Sequence, residues 1–196
     1  MLLTIALAGA GCQTARVDEP LTRTLGGNDP SDQLAFWHAL SDRGIVCNDE
    51  GFHGLLLFLN GTDAATTYAQ RIEALQARGL LGRGFDRGGT EALQRGTLAV
   101  ALVKALGIKG GVLMHVVGPT PRYATRELRH LGIYGPDRPH RSISGDAFLD
   151  VMGRAEDYQQ QAVPTSPASR ISIGTETPGA PGRDPQRVKR YDLKPR

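Results

Sequence analysis

A nine-residue segment recurs three times in this chain with changes: His38-Ala39-Leu40-Ser41-Asp42-Arg43-Gly44-Ile45-Val46, then Glu73-Ala74-Leu75-Gln76-Ala77-Arg78-Gly79-Leu80-Leu81, then Arg126-Glu127-Leu128-Arg129-His130-Leu131-Gly132-Ile133-Tyr134. Each copy has a Leu, three intervening residues, a Gly and then a branched aliphatic. Such self-similarity means that the fold is assembled from supersecondary units, each too small to bury its apolar face alone and stable only against its neighbours. That constraint moves the expected function from enzyme toward binding module.

The stretches downstream of the three copies can also be overlaid. Cys47, Leu93 and Ile143 fall together, as do Phe52, Leu98 and Phe148, and then Leu56, Leu102 and Met152. All nine are apolar, and steps of five and then four residues keep them near one face of a helix. Each unit therefore reads as a short helix, a loop and a longer helix, and the chain as an all-α fold. One short strand-like segment is allowed at Val112-Leu113-Met114-His115-Val116-Val117, an apolar run bounded by Gly and Pro. Cys47 stands where the other units place Leu and Ile, so it reads as a small buried hydrophobe rather than a nucleophile or ligand. Ser31 or Asp32 can cap a first helix carrying Leu34, Trp37 and Leu40 on one face, and Gly44 closes it. Trp37 reads as core packing, with a sugar-stacking role only if it is exposed. The loop Gly82-Arg83-Gly84-Phe85-Asp86-Arg87-Gly88-Gly89 is too rich in Gly for a regular element. Phe85 is its apolar pin, and Thr90 or Asp86 can serve the start of the next helix.

Residues 1–12 are apolar or small up to Cys12, and residues 13–30 are polar and broken by Gly26-Gly27-Asn28-Asp29-Pro30, as a flexible spacer would be. The folded region is expected over residues 31–158, with units at about 34–60, 71–107 and 123–158. Residues 159–196 read as a disordered tail rich in Pro, Ser and Arg. The net charge is only +3, and the pI near 9.1 owes much to basic residues of that tail, so no nucleic-acid partner is expected.

The N-terminus resembles a bacterial lipoprotein signal, in which small residues precede the acylated cysteine, as Ala10-Gly11-Cys12 does here. The resemblance implies a lipid on Cys12 and an exported protein anchored in the cell envelope, in the periplasm or at the outer membrane surface. Acylation of Cys12 would leave Cys47 without a disulfide partner.

The second unit, Arg71 to Leu81 followed by Phe85-Asp86 and Leu93 to Gly107, resembles an S-layer homology (SLH) repeat. That family has a short helix ending in Gly-Ile or Gly-Leu, a loop, and a helix opened by a Thr-Arg-Ala-Glu-like motif. The resemblance implies three helix-loop-helix units around a pseudo-threefold axis and an attachment to cell-wall polysaccharide. Arg95 falls on the motif's Arg, which in the family meets an acidic sugar substituent, and Gln94 falls on its Thr, while Thr97 replaces the Glu. Ser144-Gly145-Asp146-Ala147 and Asn48-Asp49-Glu50-Gly51 lack the Arg.

The histidines at 38, 53, 115, 130 and 140 form no His-x-x-x-His pair, so no metal site and no cofactor are expected. His38 and His130 read as half-exposed polar residues. No Gly-x-Ser-x-Gly or Walker-type loop occurs. The best ligand-binding cluster is Arg95 with Gln94, Asp86 and Arg87 at the mouth of the second unit, where a helix N-terminus adds its positive end. The bland alternative is that Arg95 pairs with Asp86 or Glu91 and only fixes the loop. The expected function is a non-catalytic, lipid-anchored envelope module that binds an anionic polysaccharide or acts as a scaffold. The alternative is a protein-protein adaptor that kept the SLH-like fold and lost sugar binding.

Overall fold

The computed structural model describes residues 14–111, Met114 and residues 118–162. Cys12, the tail beyond residue 162 and the strand-like segment at 112–117, apart from a buried Met114, lie outside the described residues. The described part is all-α: α1 (Thr22–Leu25), α2 (Pro30–Ser41), α3 (Asn48–Asn60), α4 (Tyr68–Ala77), α5 (Arg95–Ala105), α6 (Pro121–His130) and α7 (Gly145–Ala162). Its β pairing is confined to isolated bridges. Among the described residues no helix is long and apolar enough to cross a membrane.

In chain order the helices fall into three consecutive pairs, α2 with α3, α4 with α5 and α6 with α7, and the main packing contacts run between these pairs rather than within them. The packing links the pairs in a closed order: α4 lies against α3, α6 against α5, and α2 against α7. All nine overlaid apolar residues are buried. All of them but Cys47 belong to one continuous cluster that also takes in Val46, Phe36, Leu40, Leu75, Leu128 and Ile133, so the recurring Leu of each short helix points into the same core as the long helices.

Immediately before each long helix the main chain closes a ring. Val46 N donates to Ile143 O at 2.9 Å, Leu93 N to Val46 O at 2.9 Å, and Ile143 N to Leu93 O at 3.2 Å. Each residue gives one bond and takes one, which satisfies peptide groups that would otherwise be orphaned in the core. The ring corrects the overlay of the first unit by one residue. Val46, not Cys47, matches Leu93 and Ile143, and Cys47 is the residue that precedes α3 as Gln94 precedes α5. In that register Gly51 matches Leu98 and Phe148. A Cβ on Gly51 would meet Leu93 and Phe148, so one unit gives up its side chain to admit the larger ones of the other two.

Other expectations shift at element ends. The helix α2 begins at Pro30, whose fixed φ suits the first turn, and neither Ser31 nor Asp32 caps it. Its inward face is Phe36 and Leu40, which leaves Leu34 59% exposed. Gly79, Gly107 and Gly132 end α4, α5 and α6 with φ between +63° and +75°, whereas Gly44 has no positive φ. There the chain turns by a different route, with Arg43 O accepting from Gly145 N at 2.8 Å. The helix α5 starts at Arg95 with Gln94 before it, so neither Thr90 nor Asp86 serves its start. Phe85 does pin its loop, with its ring 5.5 Å from that of Phe52. The helix α7 runs to Ala162, four residues into the stretch expected to be tail.

Much of the expected spacer at 13–30 is bonded to the domain. Ala15 O accepts from Ala92 N and Val17 N donates to Thr90 O, both at 2.8 Å, and Pro20 is buried. Its polar groups have partners in the domain. Leu21 N donates to Glu50 Oε1 at 2.9 Å, and the Asn28 side chain bonds both main-chain polar groups of Asp63.

Two glycines of α7 separate packing from propensity. A Cβ on Gly145 would strike the Leu40 carbonyl, so Gly145→Ala is expected to cost about 1–3 kcal/mol in urea unfolding. A Cβ on Gly153 meets nothing within 4 Å, so Gly153→Ala is expected to be neutral or stabilising by up to about 1 kcal/mol. Equal stability of the two variants contradicts the close approach of α7 to the end of α2.

Candidate functional site

Of the four residues expected to form a site, Gln94 and Arg87 meet, while Arg95 is buried against Tyr134 and Asp86 is exposed. Arg95 is buried, with its guanidinium carbon 4.9 Å from the centre of the Tyr134 ring, a cation–π contact. The Tyr134 hydroxyl donates back to Arg95 O at 3.0 Å, and Arg95 N donates to Arg141 O at 2.9 Å. Arg95 thus joins the start of α5 to the chain between α6 and α7. It pairs with neither Asp86 nor Glu91; Glu91 instead meets Arg16 at 3.4 Å. Gln94 and Arg87 do meet. With the amide turned so that its oxygen faces the guanidinium, Gln94 accepts from both Arg87 Nη atoms at 3.2 Å. Arg87 O also holds the Tyr68 hydroxyl at 2.8 Å, while Asp86 is exposed.

A basic cleft lies on the far side of the Arg95 contact. The helix α6 places Arg122, Arg126 and Arg129 at i, i+4 and i+7, on one face. That face, with Tyr123, Thr125, His130, Asp137 and Pro139, lines a hollow of about 730 Å³. Arg129 and Asp137 are shared with an adjoining hollow of about 540 Å³, completed by Pro136, Arg138 and Arg141. All five arginines are exposed. The lining acid is Asp137, whose carboxyl is held below the usual carboxylate range, first by the Arg138 N–H and then by the charges of Arg95 and Arg141. It meets Arg141 at 3.5 Å. The i, i+4, i+7 spacing of these arginines was readable in the sequence; their meeting with Arg138 and Arg141 depends on the fold.

The acidic motif position of the first unit has a structural role. Asn48 donates to Gly88 O at 2.9 Å, and Glu50 accepts from Cys47 N at 3.0 Å and from Leu21 N, as a residue near a helix start does. Asp49 and Asp63 share the guanidinium of Arg71, each at 2.6 Å, and Arg71 also reaches Ala65 O at 3.2 Å. His53 Nδ1 donates to the Asp63 carboxylate at 2.7 Å. His53 is fully buried, with its ring edge-on to Phe36 at 4.6 Å and its Nε2 without a partner among the described residues. A His–Asp pair sealed in this way has no path to a substrate, so it clamps α3 to α4 and the loop between them. Spacing alone could not have found it, because its members come from α3, α4 and their connection.

Burial raises the Asp63 pKa, but the bonds from His53, Arg71 and Ala65 N–H outweigh it, and the carboxyl lies below its ordinary value. Cys47 is buried, and loss of water, together with the nearby Glu50 charge, pushes its thiol up to about 12. Among the described residues no cluster of His, Cys, Asp and Glu is placed to hold a metal ion.

Two of these buried groups can be checked in solution. Stability owed to Asp63 is full above the unfolded carboxylate pKa of about 3.9 and is lost as pH falls through the lower folded value, so Asp63→Asn flattens the acid limb of the stability curve. At neutral pH that variant is expected to lose about 3–5 kcal/mol, because Arg71 keeps its burial and loses a charged partner. In a Cys12→Ser variant the Cys47 thiol is expected to stay unreactive toward a disulfide reagent until the chain unfolds, and rapid labelling of that variant in its native state contradicts the burial of Cys47. Comparison with family models, with curated proteins and with solved structures finds no match to this chain.

Proposed function

We propose that this domain is a non-catalytic, SLH-like binding module of the cell envelope that holds an anionic polysaccharide in the basic cleft of α6. The observation that carries the reading is the convergence of Arg122, Arg126, Arg129, Arg138 and Arg141 around a single lining carboxylate, Asp137. Guanidinium groups bind carboxylate and phosphate oxygens with paired, charge-assisted hydrogen bonds, and the two adjoining hollows suit an extended chain bearing successive charges. Arg95 serves as a positioning residue, fixing the Pro139 to Arg141 wall through Gly96 N and its own N–H. The pseudo-threefold arrangement of three helix-loop-helix units belongs to the same proposal. Its support is the closed order of helix packing and the ring joining Val46, Leu93 and Ile143. Export and a lipid anchor on Cys12 complete the reading, supported by the Ala10-Gly11-Cys12 sequence.

The test is binding of the full chain to acidic polysaccharide extracted from cell envelopes. Affinity is expected to fall steeply between 50 and 200 mM salt, since exposed charges are screened over about 10 Å at 0.1 M. Arg129→Ala combined with Arg141→Ala is expected to weaken it by at least about tenfold, the scale of one lost charge-assisted bond. Asp137→Asn is expected to tighten it. No binding by the wild-type chain, or binding indifferent to all three changes, overturns the assignment.

A further inference from the structure

A second cleft, of about 390 Å³, opens between α2, α3 and α7, away from the arginines. Its volume falls within the roughly 300–1,000 Å³ typical of small-ligand sites. Trp37 forms one wall, half-buried on α2 and held by two rings: Phe148 stacks against it at 6.4 Å and 24°, and Phe36 meets it edge-on at 5.2 Å. The indole is therefore fixed before any ligand arrives, which lowers the ordering cost of binding. Leu57, Phe58, Leu149 and Met152 add apolar surface, and Gln33, Glu156 and Gln159 are the polar residues of the lining. The Gln33 amide is itself anchored, donating to Asn28 O at 2.9 Å and Gly61 O at 3.0 Å, which leaves its carbonyl oxygen as an acceptor. Gly153 lies in the lining, and a Cβ built there meets nothing within 4 Å. The absence of its side chain leaves space that the protein does not fill.

We propose that this cleft binds a pyranose ring, uncharged or amino-substituted. The C–H face of such a ring is apolar and lies flat on an aromatic surface, while its hydroxyls project at the edge, where amides and a carboxylate accept and donate hydrogen bonds. Glu156 is the charged residue of the lining, so the cleft disfavours acidic sugars and phosphate head groups and accepts a hydroxyl or an ammonium. This chemistry is opposite to that of the α6 cleft. The two sites therefore stand or fall separately, and together they would read a polymer with both charged and neutral residues.

Trp37 is the sole tryptophan of the chain, so its fluorescence reports on this cleft alone. The full chain is titrated to about 10 mM, a range that covers weak sugar sites with dissociation constants of about 1 mM or tighter, with tetra-N-acetylglucosamine, tetraglucosamine, cellotetraose, tetragalacturonate and 1-octanol. A saturable change is expected with at least one of the first three and none with tetragalacturonate, and raising salt is expected to leave the response to an uncharged sugar unchanged. Gly153→Leu puts a side chain into the open space of the cleft while keeping Trp37 as the reporter, and is expected to abolish the response while leaving thermal unfolding unchanged or raised. Arg129→Ala with Arg141→Ala is expected to leave it intact. No response to the first three sugars, a response to octanol alone, or a sugar response that survives Gly153→Leu overturns the proposal.

Discussion

Three main-chain hydrogen bonds hold the middle of this domain. Val46, Leu93 and Ile143 each stand just before a long helix, and each passes its N–H to the carbonyl of the next around a closed ring. A net hydrogen bond is worth only about 1 kcal/mol, but a buried peptide group left unpaired costs about 1–3 kcal/mol, so the ring matters most through what its loss would leave behind. It also fixes where each long helix starts, and through that which side chains reach the common core. Gly51 and Gly145 answer to the same geometry. One gives room to Leu93 and Phe148, and the other lets the start of α7 pass against the end of α2.

The repeat was legible because packing repeats. The Leu of each short helix, Leu40, Leu75 and Leu128, and the apolar ladder of each long helix answer to a period of 3.6, and a helix cannot bury one face without that pattern. The one-residue shift in the first unit was not legible. Val46 and Cys47 are both apolar, as are Leu55 and Leu56, and between them the expected register places Phe52 where the true one has Gly51, so apolar periodicity favours the wrong register. Only the ring of main-chain bonds, which joins residues far apart in sequence, chooses between them. Leu34 misled for a related reason: Leu34, Trp37 and Leu40 share a helical face, but the neighbours of α2 cover only the Phe36, Trp37 and Leu40 side of it.

The polar positions were less legible than the apolar ones. A motif match placed weight on Arg95 and Gln94, whereas the fold stacks Arg95 on Tyr134 and turns Gln94 toward Arg87. The acidic run Asn48-Asp49-Glu50 read as a lost binding motif and proves to be a set of internal partners for Gly88, Arg71 and Leu21. Charge on α6 carries the opposite lesson. Arg122, Arg126 and Arg129 lie on one face by spacing alone, yet their value depends on Arg138 and Arg141 arriving from the following loop. In each case apolar periodicity is a local property of a helix, while a polar site is made by residues that only tertiary structure brings together.

Native-state hydrogen exchange tests the closed ring most directly. The amides of Val46, Leu93 and Ile143 are bonded to one another's carbonyls across three helix pairs, so none can open without separating two of them. All three are expected to exchange only through global unfolding, with equal free energies of opening that match the stability from urea unfolding. Faster exchange at any one of them, through a local opening that leaves the other two protected, contradicts a domain closed by this ring.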